Sequence, residues 1–159
     1  SGYYLDIPVW FRTTSTDAVT LGLEVEIKNS SDDDTESVLY KAARVAILPE
    51  TKSAQKVFSE TGAKYYSDGK AVATAGATLA ASYGDVSVAT EAIAAGGKVT
   101  NPDDATQVAT VTASTGTGYG DAVKYYIRVW LEGEDEACWN SNAGQDFVIN
   151  LKFHDLSNK

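Results

Sequence analysis

Two groups of carboxylates supply the residue types that metal binding or acid–base chemistry would need. They are Asp32, Asp33, Asp34, Glu36 and Glu132, Glu134, Asp135, Glu136. Calcium prefers such oxygen ligands, but neither group has the spacing of an EF-hand loop. Runs of like charge are typical of solvated loops, which is the interpretation favoured for both, with calcium binding left open. Glycosidase chemistry needs two carboxyls flanking a bond, and sequence neighbours do not establish that separation.

The other residue types used in catalysis are scarce. His154 is the only histidine and Cys138 the only cysteine, so these residues can form neither a site of several histidines nor an intrachain disulfide. Ser53 and Lys56 match the Ser-x-x-Lys pattern of acylating enzymes, but the partner motifs are absent. The sequence predicts no enzyme and no cofactor, and it assigns no metal-site residues, with calcium binding by the acidic loops left open. We expect His154 to face solvent and Cys138 to be a small hydrophobe beside Trp139, dispensable for assembly.

Aromatic side chains are the remaining candidates for ligand binding. Three tryptophans and nine tyrosines are present. A platform for sugar rings needs two or three coplanar exposed rings, whereas the tyrosine pairs at 65–66 and 125–126 place their rings on opposite faces of a strand. Core packing and cross-strand packing are therefore the favoured interpretation of these rings.

Composition and charge exclude several classes of partner. Hydrophobic residues make up 43% and charged residues 22% of the 159 residues, as in ordinary globular domains. The formal net charge of −9 argues against binding to nucleic acid or an anionic membrane, which need basic patches. No run of about 18 apolar residues predicts a membrane span. The sequence shows no recognisable signal peptide. A mature exported chain that has lost its leader would show none either.

The run from Asp121 to Leu131 is the element around which the chain is organised. Its side chains alternate, with apolar residues at the odd positions from Val123 and Lys, Tyr, Arg and Trp between them. β-branched and aromatic residues on both faces favour a central strand. Residues 147–154 alternate similarly, so both runs are predicted to lie in the middle of an antiparallel sheet.

Shorter alternating runs, separated by turn residues, predict the other strands. They lie at residues 3–12, 20–28, 44–48, 55–59, 63–67, 86–89 and 108–112, with a helical turn before residue 44. Pro8 requires an edge, a bulge or a break, and Asp68-Gly69 predicts a two-residue hairpin. Strands recurring about every ten residues without a long amphipathic helix predict an all-β fold. We expect one antiparallel β-sandwich or barrel domain over residues 1–159.

Parts of both ends resemble a known family. Two segments are similar to the C-terminal end of the TasA/camelysin-like secreted proteins of Gram-positive bacteria, namely residues 126–140 (YIRVWLEGEDEACWN) and 144–153 (GQDFVINLKF). Two others, residues 7–16 and 39–48, are similar to other parts of the same proteins. The resemblance implies a jelly-roll sandwich, a cleaved signal peptide, and an extracellular biofilm or surface fibre in which a strand of one subunit completes the sheet of the next. Camelysin relatives are described as metalloproteases, but this chain lacks the histidines for that activity.

Two function classes therefore compete. The first is the structural subunit of an extracellular or cell-surface filament, whose partners are other copies of itself in a head-to-tail polymer. The alternative is a secreted β-sandwich module that binds carbohydrate or another surface ligand. For the filament, the subunit interface is predicted at Tyr3, Tyr4, Leu5, Ile7 and Val9. Residues 1–7 would be lent to a neighbour, with Pro8 as a break; pairing within the same subunit stays open at this point.

Overall fold

The computed structural model of the chain is all-β. It describes residues 4–31, 36–52, 56–60, 65–67, 70–72, 81–83, 86–88, 94–95, 101–133 and 135–157. The strands are β1 (Tyr4–Phe11), β2 (Val19–Asn29), β3 (Ala43–Pro49), β4 (Lys56–Ser59), β5 (Tyr65–Ser67), β6 (Lys70–Val72), β7 (Ala81–Tyr83), β8 (Val86–Val88), β9 (Ala94–Ala95), β10 (Thr106–Val111), β11 (Val123–Leu131) and β12 (Phe147–Asp155). The 3₁₀ turns are Leu39–Ala42, Pro102–Asp104, Glu136–Cys138 and Asn140–Asn142. None of the described helices is long and apolar enough to cross a membrane.

The strands form two main sheets. Sheet A has the order β1-β11-β3-β4-β9 and is antiparallel except for the parallel pair β4–β9. Sheet B has the order β10-β2-β12 and is antiparallel throughout. Two further antiparallel pairs are β5–β6 and β7–β8. In the first of them Ser67 pairs with Lys70, and the turn predicted at Asp68-Gly69 lies outside the described residues.

β11 is a central strand, as predicted, because it lies between β1 and β3. The prediction for β12 is wrong in its position. It pairs with β2 and forms the edge of sheet B in the described part of the chain. Alternation indicates which face of a strand is buried, but not how many neighbouring strands it has. The sequence patterns of β11 and β12 are therefore alike although their positions differ.

One hydrophobic cluster joins the two sheets. Its buried members come from β2 and β10 of sheet B and from β3, β4 and β11 of sheet A. They are Leu23, Val25, Ile27, Ala43, Val45, Ile47, Phe58, Val108, Ala109, Tyr125 and Ile127. The opposite face of β3 is buried too, since Arg44, Ala46 and Leu48 are at most 1% exposed. The centre of sheet A is therefore packed on both sides.

β1 runs through Pro8 without interruption. Of the three alternatives predicted for Pro8, an edge, a bulge or a break, the structure has the edge, so the use of Pro8 as a break in the lent segment is wrong. The missing N–H of Pro8 is tolerated because β1 pairs with β11 alone among the described strands. The 3₁₀ turn at Leu39–Ala42 followed by β3 ending at Pro49 agrees with the sequence prediction.

His154 is buried, so its predicted exposure to solvent is wrong. It pairs with Gly22 across the β12–β2 ladder, and its Nε2 lies 2.9 Å from the Glu24 carboxylate oxygen. Leu156 and Ala105 fill the space where a Cβ of Gly22 would lie, at 2.7 and 2.8 Å from it, and the imidazole reaches the glutamate on the diagonal. Long-range strand pairing creates this contact, and no local pattern contains it.

The interpretation of the second acidic group as a solvated loop is also wrong in part. Glu132 and Asp135 are buried, and the Asp135 carboxylate lies 3.3 Å from an Arg44 guanidinium nitrogen. Residues 32–35, 53–55 and 134 lie outside the described residues. Among the residues that are described, no group of three or more His, Cys, Asp or Glu side chains is arranged to hold a metal ion.

Candidate subunit interface

β1 presents an open edge. It pairs with β11 in antiparallel register from Tyr4 opposite Trp130 to Phe11 opposite Val123, and no second described strand pairs with it. The outward N–H and C=O groups of an edge strand can take up another strand. Such strand addition gives affinity through main-chain hydrogen bonds and specificity through alternate side chains.

The predicted interface residues lie on this strand, but not on one face. Leu5, Ile7 and Val9 share the face that points toward the hydrophobic cluster, whereas Tyr4 is on the opposite face. Tyr3 lies outside the described residues. Val9 packs against the cluster, but Leu5 is 60% exposed and Ile7 42% exposed. Two large apolar side chains on the core-facing side of β1 are therefore uncovered.

The core-facing side of β1 is covered at one end only. Phe11 has its ring centroid 4.9 Å from that of Phe153 on β12 and 5.9 Å from that of Tyr125. At the Tyr4 end an apolar pocket of about 600 Å³ opens instead. Its lining residues are Tyr4, Leu5, Val129, Trp130, Leu131, Gly133, Cys138 and Phe147. The pocket thus lies between the edge strands of sheets A and B.

Asp6 fastens β1 to β11 through a bidentate ion pair. Its two carboxylate oxygens accept hydrogen bonds from Nε and a terminal nitrogen of Arg128 at 2.6 and 2.7 Å. The Arg128 side chain is 1% exposed, and its guanidinium also stacks on the Tyr4 ring at 3.5 Å. The hydrogen bonds from Arg128 lower the pKa of Asp6 below its ordinary value of 3.8, against the opposing effect of burial.

Lys52 adds a second cation to this ion pair. Its Nζ lies 3.4 Å from the Asp6 carboxylate and 5.2 Å from the centre of the Tyr126 ring. The lysine has φ of 57°, a left-handed conformation that is uncommon for a residue with a side chain. The turn after β3 therefore delivers a positive charge to the outer face of β1, although residue 52 is distant from β1 in sequence.

The Asp6 ion pair makes the docking of β1 dependent on pH. Because the folded-state pKa is lowered, the stabilisation is complete above the ordinary carboxyl pKa and is lost as pH falls through the folded value. We expect hydrogen-exchange protection factors of β1 amides to decrease below about pH 4. Asp6→Asn should lower them about 5- to 30-fold at neutral pH, equivalent to roughly 1–2 kcal/mol.

Asp121→Asn is the matched control, since Asp121 is an exposed carboxylate outside the strands. Protection of β1 should be unchanged in that variant. Equal protection of β1 in wild type and Asp6→Asn, at both acidic and neutral pH, would contradict the role given to the ion pair.

The edge of sheet B formed by β10 differs from β1. The hydroxyl of Tyr125 accepts a hydrogen bond from the Thr110 N–H at 3.2 Å and donates one to the Thr110 carbonyl at 3.3 Å. Both backbone groups of this residue are therefore occupied by a side chain from the opposing sheet. Thr110 therefore offers neither of these groups to an added strand.

Cys138 is a poor nucleophile in this environment. Burial raises the pKa of its thiol, and the charges of Asp135 and Glu132 raise it further. The thiol is therefore mostly protonated at neutral pH, and the thiolate is the reactive form. Cys138 lies in the wall of the pocket, whereas its neighbour Trp139 is an exposed side chain.

Sequence reasoning identified β1 but missed what fastens it. The sequence does contain one indication of this ion pair. Each of its charged residues, Asp6, Arg128 and Lys52, lies within or beside an apolar run, where a charge usually needs a partner. Their association requires the register of β1 on β11 and the turn after β3, which local patterns do not contain. Comparison of the chain with family models, with curated proteins and with solved structures finds no match.

Proposed function

We propose that the chain is the structural subunit of an extracellular filament, built on a β-sandwich of jelly-roll type and assembled by exchange of β1 between copies. The observation that carries the proposal is β1 itself. It is an edge strand on which Leu5 and Ile7 are exposed, and the Asp6–Arg128 ion pair holds it against β11. Secretion and the jelly-roll arrangement are supported by the resemblance in residues 126–140 and 144–153.

Exchange of β1 re-forms the contacts that it makes within one subunit. The Asp6–Arg128 pair and the ladder with β11 would be rebuilt on the neighbour. The separate subunit and the exchanged assembly therefore differ little in the bonds that β1 makes. Domain swapping of this kind is a low-cost route to assembly, and a head-to-tail contact that does not close gives a filament. Exchange also brings a second subunit beside β1, and the exposed parts of Leu5 and Ile7 that this subunit covers would contribute up to about 1–2 kcal/mol each beyond the re-formed contacts.

The segment between β1 and β2 would act as the hinge. It is polar, and two backbone hydrogen bonds attach it to the loop after β10. The Thr13 carbonyl accepts from Gly120 N–H at 2.9 Å, and the Ser15 carbonyl accepts from Ser114 N–H at 2.7 Å. Because few contacts restrain the segment, their loss during exchange costs little compared with the ladder that is regained.

The alternative is a secreted module that binds carbohydrate or another surface ligand. Tyr4 and Trp10 are exposed on the outer face of β1, with Tyr126 of β11 between them on the same face. Lys124 lies 5.7 Å from the Trp10 ring and 4.9 Å from the Tyr126 ring. Aromatic and cationic side chains therefore alternate on this face, which suits a ligand with apolar ring faces and negative charge.

Negative-stain electron microscopy of the purified chain distinguishes the two functions. The filament proposal predicts unbranched fibres whose number rises with protein concentration. Monodisperse particles at all concentrations, together with binding of a glycan that Trp10→Ala removes, would favour the binding module.

A further inference from the structure

Tyr119 is a large exposed side chain on a loop that is held in place. It is 63% exposed and lies between β10 and β11. The hydroxyl oxygen of the buried Ser114 is 2.7 Å from the Gly118 carbonyl oxygen and accepts the Gly116 N–H at 3.3 Å. Gly120 approaches the backbone so closely that a Cβ there would lie 2.8 Å from the Ala113 carbonyl oxygen. The backbone that carries Tyr119 is therefore held in place.

Arg12 and Tyr119 together form an exposed aromatic–cationic tip. Its guanidinium carbon lies 4.2 Å from the centre of the Tyr119 ring, and the arginine is itself exposed. Tyrosine and arginine are enriched among the residues that dominate protein–protein binding energy. Because the backbone at Tyr119 is already held, docking of its ring requires no ordering of the loop. These features indicate a contact surface, since neither side chain is buried within the subunit.

The apolar pocket lies at the other end of the same strand. The pocket includes Tyr4 and Leu5 at the start of β1, whereas Arg12 follows its last residue. The two ends of β1 are about 23 Å apart at the usual rise per residue. Exposed Glu136 and Asp146 adjoin the pocket in sequence and supply negative charge opposite in sign to Arg12.

We propose that Tyr119, with Arg12 beside it, docks into the apolar pocket of a second copy of the chain. A tip and a pocket at opposite ends make a heterologous contact, which propagates without closing. The docking goes beyond the exchange of β1 and does not depend on it, because both surfaces exist in the folded subunit. One ring in one pocket buries little area, so the contact is weak unless repeated along a polymer.

The test uses chains in which β1 cannot be exchanged. An intrachain disulfide between Ile7→Cys and Ile127→Cys, which are opposite each other in the ladder, fixes β1 to its own β11 without altering the pocket lining. Failure of docking is then separate from failure of exchange. Self-association is measured by analytical ultracentrifugation over a wide concentration range.

Tyr119→Ala should weaken self-association by about tenfold or more, and Tyr119→Phe should not. Gly133→Phe should have the same effect as Tyr119→Ala, because Gly133 lines the pocket and a Cβ there meets no atom within 4 Å, which leaves room for a ring that competes with Tyr119. Gly133→Ala is its control. An equimolar mixture of Tyr119→Ala and Gly133→Phe should form dimers and nothing longer, since only one intact tip and one intact pocket can meet.

Alkylation of Cys138 by iodoacetamide gives a second readout, because this thiol lies in the pocket wall. Its rate should fall as the concentration of the locked chain rises, and Tyr119→Ala should remove that protection. Unchanged association of Tyr119→Ala, or concentration-dependent protection that persists in it, would overturn the proposal. So would the absence of any protection in the locked chain at high concentration.

Discussion

A chain that lacks residues 1–7 is expected to stay folded and to form no filaments. None of residues 4–7 belongs to the buried hydrophobic cluster, whereas Val9 and Phe11, which pack against it, are retained. Loss of Asp6 removes the partner of Arg128, but loss of the strand also exposes that guanidinium to water, which offsets part of the cost. The truncated chain keeps β11 as an acceptor and has no strand to donate.

A chain that can accept a strand but cannot donate one should end a growing filament. Added to the full-length chain, the truncated chain should shorten filaments at substoichiometric amounts, because it accepts a strand and then stops growth. A chain lacking only residues 1–2, which precede β1, is the control and should form filaments of normal length. Filaments of normal length from the truncated chain, measured by electron microscopy with circular dichroism as a check on folding, would contradict the account.

Asp135→Ala is expected to lower the free energy of unfolding by about 3–5 kcal/mol, because it removes a carboxylate that pairs with the buried Arg44 guanidinium. Arg44 also donates hydrogen bonds to the carbonyls of Lys41 and Ala43 at 2.7 and 3.0 Å, so it cannot easily turn toward solvent. Asp135 in addition accepts the Ala137 N–H at 3.0 Å and caps the 3₁₀ turn that follows. Both losses act in the same direction.

Urea unfolding of two comparison variants isolates the ion pair. Arg44→Met combined with Asp135→Leu should be less destabilised than Asp135→Ala, because neither member of the ion pair is left behind without the other. Asp121→Ala, a change at an exposed carboxylate, should stay within about 0.5 kcal/mol of wild type. A cost below about 1 kcal/mol for Asp135→Ala would mean that the Arg44 charge is satisfied without it.

Period-2 alternation predicts the longer strands of this chain well, because one face of each must be buried, whereas the short strands β6, β7 and β9 are not predicted. β2 has Leu23, Val25 and Ile27 in the core and Glu24 and Glu26 on the other face. The turn before β3 also follows from local residue types. These features depend on interactions between residues close in sequence.

Features that depend on distant pairing are not predictable in this way. The placement of β12 at an edge, the His154–Glu24 contact and the Asp6–Arg128 pair each require the register of two remote strands. The burial of Asp135 requires Arg44, which lies 91 positions away. For the interface, the sequence predicts an apolar strand at residues 3–12, but the exposure of Leu5 and Ile7 depends on where sheet B ends.

The most direct measurement of β1 exchange is cross-linking between single-cysteine chains. Leu5 and Val129 are opposite each other in the β1–β11 ladder. One chain carries Leu5→Cys and the other Val129→Cys, both with Cys138→Ala, and they are mixed in equal amounts, assembled and mildly oxidised. Cβ atoms of directly opposed residues are about 4.5–5.5 Å apart, close enough for a disulfide after small adjustment. Exchange of β1 predicts a disulfide-linked heterodimer on a non-reducing gel. Filaments that form without this heterodimer, while a chain carrying both cysteines closes only an intrachain bond, would contradict exchange.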